Sequence, residues 1–445
     1  MKNLVILHLE SISRQHLATF ETALPNIRRL LQQSLVFPNF FSSATSTLMV
    51  VTYLFHGNDF EFDEASDFSR MIPAKNERNL FSVLRDRGYN ANLICLNGFH
   101  NVRPTKFRAW PNDLPPVWGT NDFPTLFARF DALTDEPPFA IYVWDLVTHI
   151  EHSPALAPFS SGLTDQIRRA CVVADDAVGE MLATLERKGL LDQTTIVAYG
   201  DHGEDYWTHG FKNGMVHATE PYTDITRTPM AIRDSALKPG SDERLASTID
   251  IAATCRSLLD VGEPALFPHA GTSLLDAERD MAFSQNFTAN QPDDVTRGIA
   301  KAFSVMDKTH TLVVSSHGLE LYAYRLDPGN QCNLLHFFEL EKGDRLIFQP
   351  RPAPAGHFRA ALQDNPRAIT SLTQDFARLR KALIERVEAK RDYIVGRGVA
   401  PTGALDRSCL DKISRQRRDA FFRGLDNEKP MIPPMPLFQF SYRLR

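Results

Sequence analysis

The sequence predicts an α/β protein: a central, mostly parallel sheet flanked by helices, with a smaller C-terminal antiparallel-sheet subdomain and a helical tail. Three observations predict it. Continuous apolar runs at residues 4–9, 139–146 and 195–199 read as strands buried on both faces, as parallel strands are. An amphipathic helix at 164–188 feeds the third run, which makes a crossover of the kind that joins parallel strands. After about residue 276 the texture changes to short alternating segments. The expected division is 1–275 for the α/β domain, 276–365 for a small subdomain and 366–445 for a helical extension and tail.

Length and composition set the frame. A chain of 445 residues with 43% hydrophobic content can bury a sizeable core. Its net charge of -5 is small for that size, so no nucleic-acid partner is expected. Cys95, Cys171, Cys255, Cys332 and Cys409 are scattered and odd in number, which suits reduced thiols and a cytoplasmic protein. The opening Met1-Lys2-Asn3 leads straight into a strand ending at Glu10, unlike a secretory leader. No apolar run approaches the roughly 20 residues that span a bilayer, so no transmembrane segment is expected.

The elements follow in order. The first strand, 4–9, ends in the carboxylate of Glu10, which reads by itself as a helix N-terminal charge. A helix over 21–35 is expected, with Pro25 near its start and Ile27, Leu30, Leu31 and Leu35 on one face. The hydroxyl run Ser42, Ser43, Thr45, Ser46 and Thr47 precedes a buried apolar helix that ends at Gly57. A hydroxyl there can cap the helix or sit where an anion binds. Leu80, Val83 and Leu84 mark a helix closed by Gly88, and 91–96 a strand. Residues 99–137, rich in Pro, Trp and Asn, read as a long surface excursion. Residues 245–259 read as an amphipathic helix, 301–326 as a small antiparallel sheet, and 366–393 as a long charged helix with Leu372, Phe376, Leu379, Leu383 and Val387 on one side. Arg415 to Arg418 and the proline-broken, aromatic tail read as a solvated face and a segment packed back on the body.

The chemistry gathers where strands end. Gly200 breaks the third strand and is followed at once by Asp201 and His202, a carboxylate and an imidazole in the usual ligand position of open α/β sheets, and together suited to a divalent metal. If the first strand lies beside the third, Glu10 comes within reach of both. His209 and His217 follow in a segment with little apolar periodicity, and His149 and His152 repeat the pattern beyond the strand 139–146.

These pieces, in this order, resemble the sulfatase-like branch of the alkaline phosphatase superfamily over roughly three quarters of the chain. The resemblance is carried by PNIRRLLQQSLVFPNFFSSAT, NLFSVLRDRGYNANLICLNGFH, VADDAVGEMLATLERKGLLDQTTIVAYGDHGE, HGFKNGMVHATEPYTDITRTPMAIR and ELYAYRLDPGNQCNLL. It implies an alkaline-phosphatase-like sheet and a hydroxyl or formylglycine nucleophile that sits on a metal at a helix N-terminus and attacks a phosphate or sulfate ester. Glu10, Asp201 and His202 match the metal ligands. The nucleophile falls in Thr45-Ser46-Thr47: alignment with the threonine motif of phosphoethanolamine transferases favours Thr45, also counted as a metal ligand, and counting back from Gly57 picks Thr47. His217 resembles a histidine near the transferred group, His149 or His152 the substrate-side histidine, and Thr47, His209 and Lys212 substrate-binding positions. Sulfatases require Cys or Ser followed by Pro-x-Arg, whereas positions 42–50 hold neither Cys nor Pro. With Glu10 in place of paired aspartates, the site looks closer to phosphoethanolamine and phosphoglycerol transferases. The implied function is metal-dependent transfer or hydrolysis through a phosphothreonine, with zinc or manganese as the ion, a phosphoester donor, and a glycan or other alcohol as acceptor. A hydrolase of phosphate or sulfate esters and a non-catalytic protein on the same fold are the alternatives.

Overall fold

The computed structural model describes residues 1–59, 78–96, 117–120, 122–145, 147–149, 163–206, 209, 215–262, 270–286, 301–330, 332–341, 345–349, 366–396 and 407–414. The strands, in chain order, are β1 (Asn3–Leu9), β2 (Leu35–Val36), β3 (Asn39–Phe41), β4 (Asn90–Leu96), β5 (Val117–Thr120), β6 (Phe139–Asp145), β7 (Thr194–Gly200), β8 (Asp205–Tyr206), β9 (Met215–Val216), β10 (Met230–Arg233), β11 (Gly240–Ser241), β12 (Leu245–Ser247), β13 (Ala282–Gln285), β14 (Phe303–Met306), β15 (Thr311–Ser315), β16 (Gly318–Tyr322), β17 (Phe338–Glu341) and β18 (Arg345–Phe348).

The main sheet runs β11-β2-β10-β7-β1-β6-β4-β5. Its central strands are parallel, and only β10 opposes its neighbours. β1 lies inside that parallel block, between β7 and β6. Leu9 pairs with both Gly200 and Asp145, so the C-terminal ends of β1, β6 and β7 are level and their following residues share one edge.

Strand alternation sorts β1 between two layers. Leu4 and Ile6 enter a core that holds Met49, Tyr53 and Phe55 from the helix Thr47–His56, with Leu80 and Ile251 from two more helices. Val5, Leu7 and Leu9 enter the opposite core, against Ile27, Phe130 and Leu182. His8 and Glu10 have the parity of Leu4 and Ile6. They therefore face the layer that contains the helix Thr47–His56.

The second sheet is antiparallel, β13-β14-β15-β16, as the alternation at 301–326 predicts, and β13 adds a strand ahead of that span. The helix Pro366–Gly396 packs on it through Leu372, Phe376, Leu379 and Leu383. Gln285, closing β13, buttresses the hydroxyl run: its carbonyl accepts from Thr45 N–H at 3.1 Å and its N–H donates to Ser43 O at 3.2 Å. The long helix reaches the other end of the Thr47–His56 helix, where Lys390 Nζ lies 3.1 Å from Asp59 Oδ2 and Arg386 pairs with the same carboxylate.

Several expectations are corrected. Residues 21–35 are a 3-10 turn, Glu21–Ala23, a helix, Pro25–Gln32, and a strand that takes Leu35, because Leu35 pairs with Ile232. The excursion expected over 99–137 contains β5 and the helix Phe123–Leu133, N-capped by Asp122, whose side chain accepts from Thr125 N–H. Its i, i+4, i+7 set Leu126, Phe130 and Leu133 is buried, a periodicity that the proline and asparagine content masks. Residues 245–259 divide into β12, paired with β3, and the helix Asp250–Leu258. Residues 99–116, Arg415 to Arg418 and the tail lie outside the described residues. All five cysteines are buried free thiols. Among the described residues no helix is long and apolar enough to cross a membrane.

Burial opposes charge on Asp59, but Arg386 and Lys390 more than offset it and hold its carboxyl below the usual range. Asp59→Ala leaves two buried cations uncompensated and is expected to cost about 3–5 kcal/mol of stability. Because the folded pKa is depressed, the stabilisation is present above the unfolded carboxylate value of 3.8 and lost as pH falls through the lower folded value. Denaturant melts of both proteins should show a large gap near neutral pH that narrows in acid; a gap independent of pH would contradict the pairing.

Candidate functional site

Glu10 follows β1, Asp201 and His202 follow β7, and two close approaches lock these ends together. A Cβ on Gly200 would stand 2.3 Å from Ile12 O, and one on Gly203 would stand 2.2 Å from Asp224 O. Only glycine lets the backbone pass there. Ser11, at φ 53, donates its N–H to Asp201 Oδ1 at 2.9 Å. The structure thus brings Glu10, Asp201 and His202 together, all fully buried.

Thr47 joins them from the facing layer as the first residue of the helix Thr47–His56. Its Oγ1 lies 3.0 Å from Glu10 Oε1 and 2.9 Å from His202 Nε2. His202 Nδ1 sits 2.9 Å from Gly203 O, so its N–H donates to that carbonyl and the ring presents Nε2 to Thr47. Thr45, the favoured nucleophile in the sequence, is placed elsewhere: its Oγ1 donates to Thr219 O at 3.1 Å, and its carbonyl accepts from Ala218 N–H. The cause is the helix boundary. Thr45 precedes the N-cap Ser46 in extended chain, so the first turn presents Thr47 instead.

A second histidine group borders the first. His217 Nδ1 is 2.8 Å from Glu204 Oε1, the His217 ring stacks on His202 at 4.4 Å, and His149 meets His217 edge-on at 5.1 Å. Burial disfavours the His217 cation, but Glu204, Glu10 and Asp201 outweigh it and push its pKa up to about 9. His209 is in a different place, hydrogen-bonded to Asn330 O at 3.1 Å and stacked on Tyr222. His152 and Lys212 lie outside the described residues.

The sequence reading assigned no role to several residues around the cluster. His8, two before Glu10 on the same strand face, places Nε2 3.3 Å from Glu10 Oε2 and 3.2 Å from Asp201 Oδ2. Trp144 Nε1 donates to Glu10 Oε2 at 2.6 Å, and Tyr142 OH contacts His8 Nδ1 at 2.7 Å. Strand alternation from Glu10 is the signal that would have found His8. The tryptophan and tyrosine require knowing which strand neighbours which.

The electrostatics call for a cation. Burial opposes charge on Asp201, yet His202, His8 and the Ser11 N–H hold its carboxyl well below the usual range; Glu10 is likewise lowered, its burial and Asp201 opposing, His8 and His149 prevailing. Asp201 Oδ2 is buried with no hydrogen-bond partner. The donor atoms of His8, Glu10 and Asp201 all lie within 4.8 Å of one another, and the spacing from His202 Nε2 to Asp201 Oδ2 is 3.2 Å. Two donors bound to one ion at about 2.0–2.2 Å stand roughly 3 Å apart, so the pocket fits a divalent metal.

Comparison with known proteins places the chain. It is 26% identical to an arylsulfatase of Volvox carteri over 199 residues, 37% of this chain, and the match spans only 30% of that protein's length. Among solved structures it is similar to a protein in the alkaline phosphatase superfamily from Vibrio parahaemolyticus (TM-score 0.55, 17% identity, 84% of this chain and 88% of that one). It is similar also to the lipoteichoic acid synthase LtaP from Listeria monocytogenes (0.53, 16%, 73% and 85%) and to the phosphonate monoester hydrolase of Agrobacterium radiobacter (0.55, 15%, 79% and 100%). At these identities the likeness is one of fold. The Sulfatase family itself matches residues 2–261, more than half of the sequence, and the chain belongs to that family.

Proposed function

We propose that this protein is a metal-dependent phosphoester transferase or phosphodiesterase that works through a covalent ester on Thr47. The observation that carries the reading is the Thr47 hydroxyl, 2.9 Å from His202 Nε2 and 3.0 Å from Glu10 Oε1 at the first turn of a buried helix. Glu10, Asp201, His202 and Thr47 would hold a divalent ion, and a nitrogen donor among oxygens suits zinc or manganese. Such an ion supplies Lewis acidity, which acidifies a nearby hydroxyl and offsets charge on phosphoryl oxygens.

The chain's own groups do the rest. Thr47 Oγ1 passes its proton to Glu10 Oε1, to which it already donates, and attacks phosphorus as the ester alcohol departs on the opposite side. The helix N-terminus and His217, whose Nδ1 is committed to Glu204, hold the phosphoryl oxygens. His149, in edge contact with His217, gives a proton to the leaving alkoxide. An acceptor alcohol or water then gives its proton to His149 and attacks phosphorus, and Thr47 leaves as its hydroxyl with the proton that Glu10 returns. Phosphoethanolamine or a similar group moving to a glycan is one such transfer. Thr47 also favours phosphate over sulfate as substrate, because oxidising a threonine side chain yields a ketone and not the aldehyde of formylglycine.

Thr47→Ala is expected to lower turnover of a phosphodiester by at least about 10³-fold, and Thr45→Ala by no more than a few-fold. Intact-mass analysis should find one covalent adduct, and fragmentation of the peptide that carries both threonines should place it on Thr47; an adduct on Thr45 would overturn the assignment. Product analysis with and without added alcohol separates transfer from hydrolysis. Dialysis against a chelator should abolish turnover and lower the melting temperature, with zinc or manganese restoring both; full activity in rigorously metal-free protein would sink the reading.

A further inference from the structure

Two imidazoles among the described residues lie within 4.0 Å of both Glu10 and Asp201, those of His8 and His202, and the proposed chemistry leaves His8 without a task. Its imidazole is completely enclosed, and Nε2 points between Glu10 Oε2 at 3.3 Å and Asp201 Oδ2 at 3.2 Å. Neither approach is aligned as a hydrogen bond, so His8 Nε2 and Asp201 Oδ2 are both buried without a hydrogen-bond partner and lie beside each other. An imidazole serving only as counter-ion would aim an N–H at one carboxylate.

The other side of the ring is fixed. Nδ1 meets Tyr142 OH at 2.7 Å, Tyr142 OH meets Tyr199 OH at 2.7 Å, and the Trp144 ring stacks on the imidazole at 5.3 Å with an interplanar angle of 8°. Metal-binding histidines are held in this way, the far nitrogen engaged so that the near one is oriented and its lone pair presented. Burial pushes the ionisation of both tyrosines well above 10, so they act as neutral hydrogen-bonding phenols.

We propose that His8 is itself a ligand of the cation through Nε2, giving a centre of two imidazoles, two carboxylates and the Thr47 hydroxyl, which selects a transition ion such as zinc or manganese over calcium. This rests on the reading of the Glu10–Asp201–His202 cluster as a cation site. The nitrogen count is what carries the selectivity. Imidazole suits zinc and its neighbours, whereas calcium takes oxygen ligands and more of them.

The test is X-ray absorption on the zinc-loaded full chain, which counts coordinated imidazoles, alongside zinc affinity by competition with a chromophoric chelator. The expected result is two imidazoles in the wild type, two in His217→Gln, and one in His8→Gln, with zinc affinity falling by more than about 100-fold in the last, beyond what loss of a merely positioning partner costs. Excess calcium should leave the zinc in place. A single imidazole at a site that Asp201→Asn empties would overturn the role of His8 and leave the metal centre standing. Failure of the wild type to bind zinc, or binding indifferent to Asp201→Asn, would overturn both. Should His8→Gln not fold, the wild-type and His217→Gln counts decide, because between them they separate His8 from His217 as the second nitrogen.

Discussion

Two carboxylates of like charge, Glu10 and Asp201, are buried within reach of each other at the edge of the sheet, and the rest of the site is arranged around that constraint. In water their repulsion would be small; in the interior it would be prohibitive without positive charge between or beside them. The histidines His8, His202 and His149 respond to that need, and all three stabilise the ionised forms of the acids. A divalent ion answers it more completely, since one ion can touch both carboxylates at once.

The fold supplies the convergence through register. β1 lies between β6 and β7 with its last residue opposite theirs, so residues far apart in sequence leave the sheet at one level. Alternation then decides which layer they meet, and the layer that receives His8 and Glu10 is the one that contributes the first turn of the helix Thr47–His56. Gly200 and Gly203 allow the turns to pass at distances any side chain would forbid. The hydroxyl thus arrives at the carboxylates from outside the strands that carry them.

The second sheet also contributes to the site, although none of the groups placed around Glu10 and Asp201 comes from it. Gln285 ties the extended hydroxyl run to β13, and Arg386 and Lys390 of the long helix hold Asp59 just beyond the other end of the Thr47–His56 helix. The helix that presents Thr47 is therefore fixed at both ends by the C-terminal half of the chain. Such bracing fixes the position of the Thr47 hydroxyl relative to Glu10 and His202.

The sequence by itself determined the parallel core strands, the long helices and the three strand ends at which acids and histidines collect, because buried strands and amphipathic helices leave periodic marks that need no partner to be read. It also determined that Glu10, Asp201 and His202 would meet if β1 and β7 were neighbours. Only the tertiary structure placed the hydroxyl of Thr47, and not that of Thr45, beside Glu10 and His202, since a run of five hydroxyl residues holds no sign of where the first helical turn begins, and a shift of two residues changes which one faces the carboxylates. It alone showed β5 and β12, short strands defined by their pairing with β4 and β3, and the helix Phe123–Leu133, whose periodic set the local proline and asparagine content masks. It alone placed Tyr142 and Trp144 around His8, because cross-strand neighbours follow from sheet order, and sheet order is settled by packing over the whole chain and not by any local pattern.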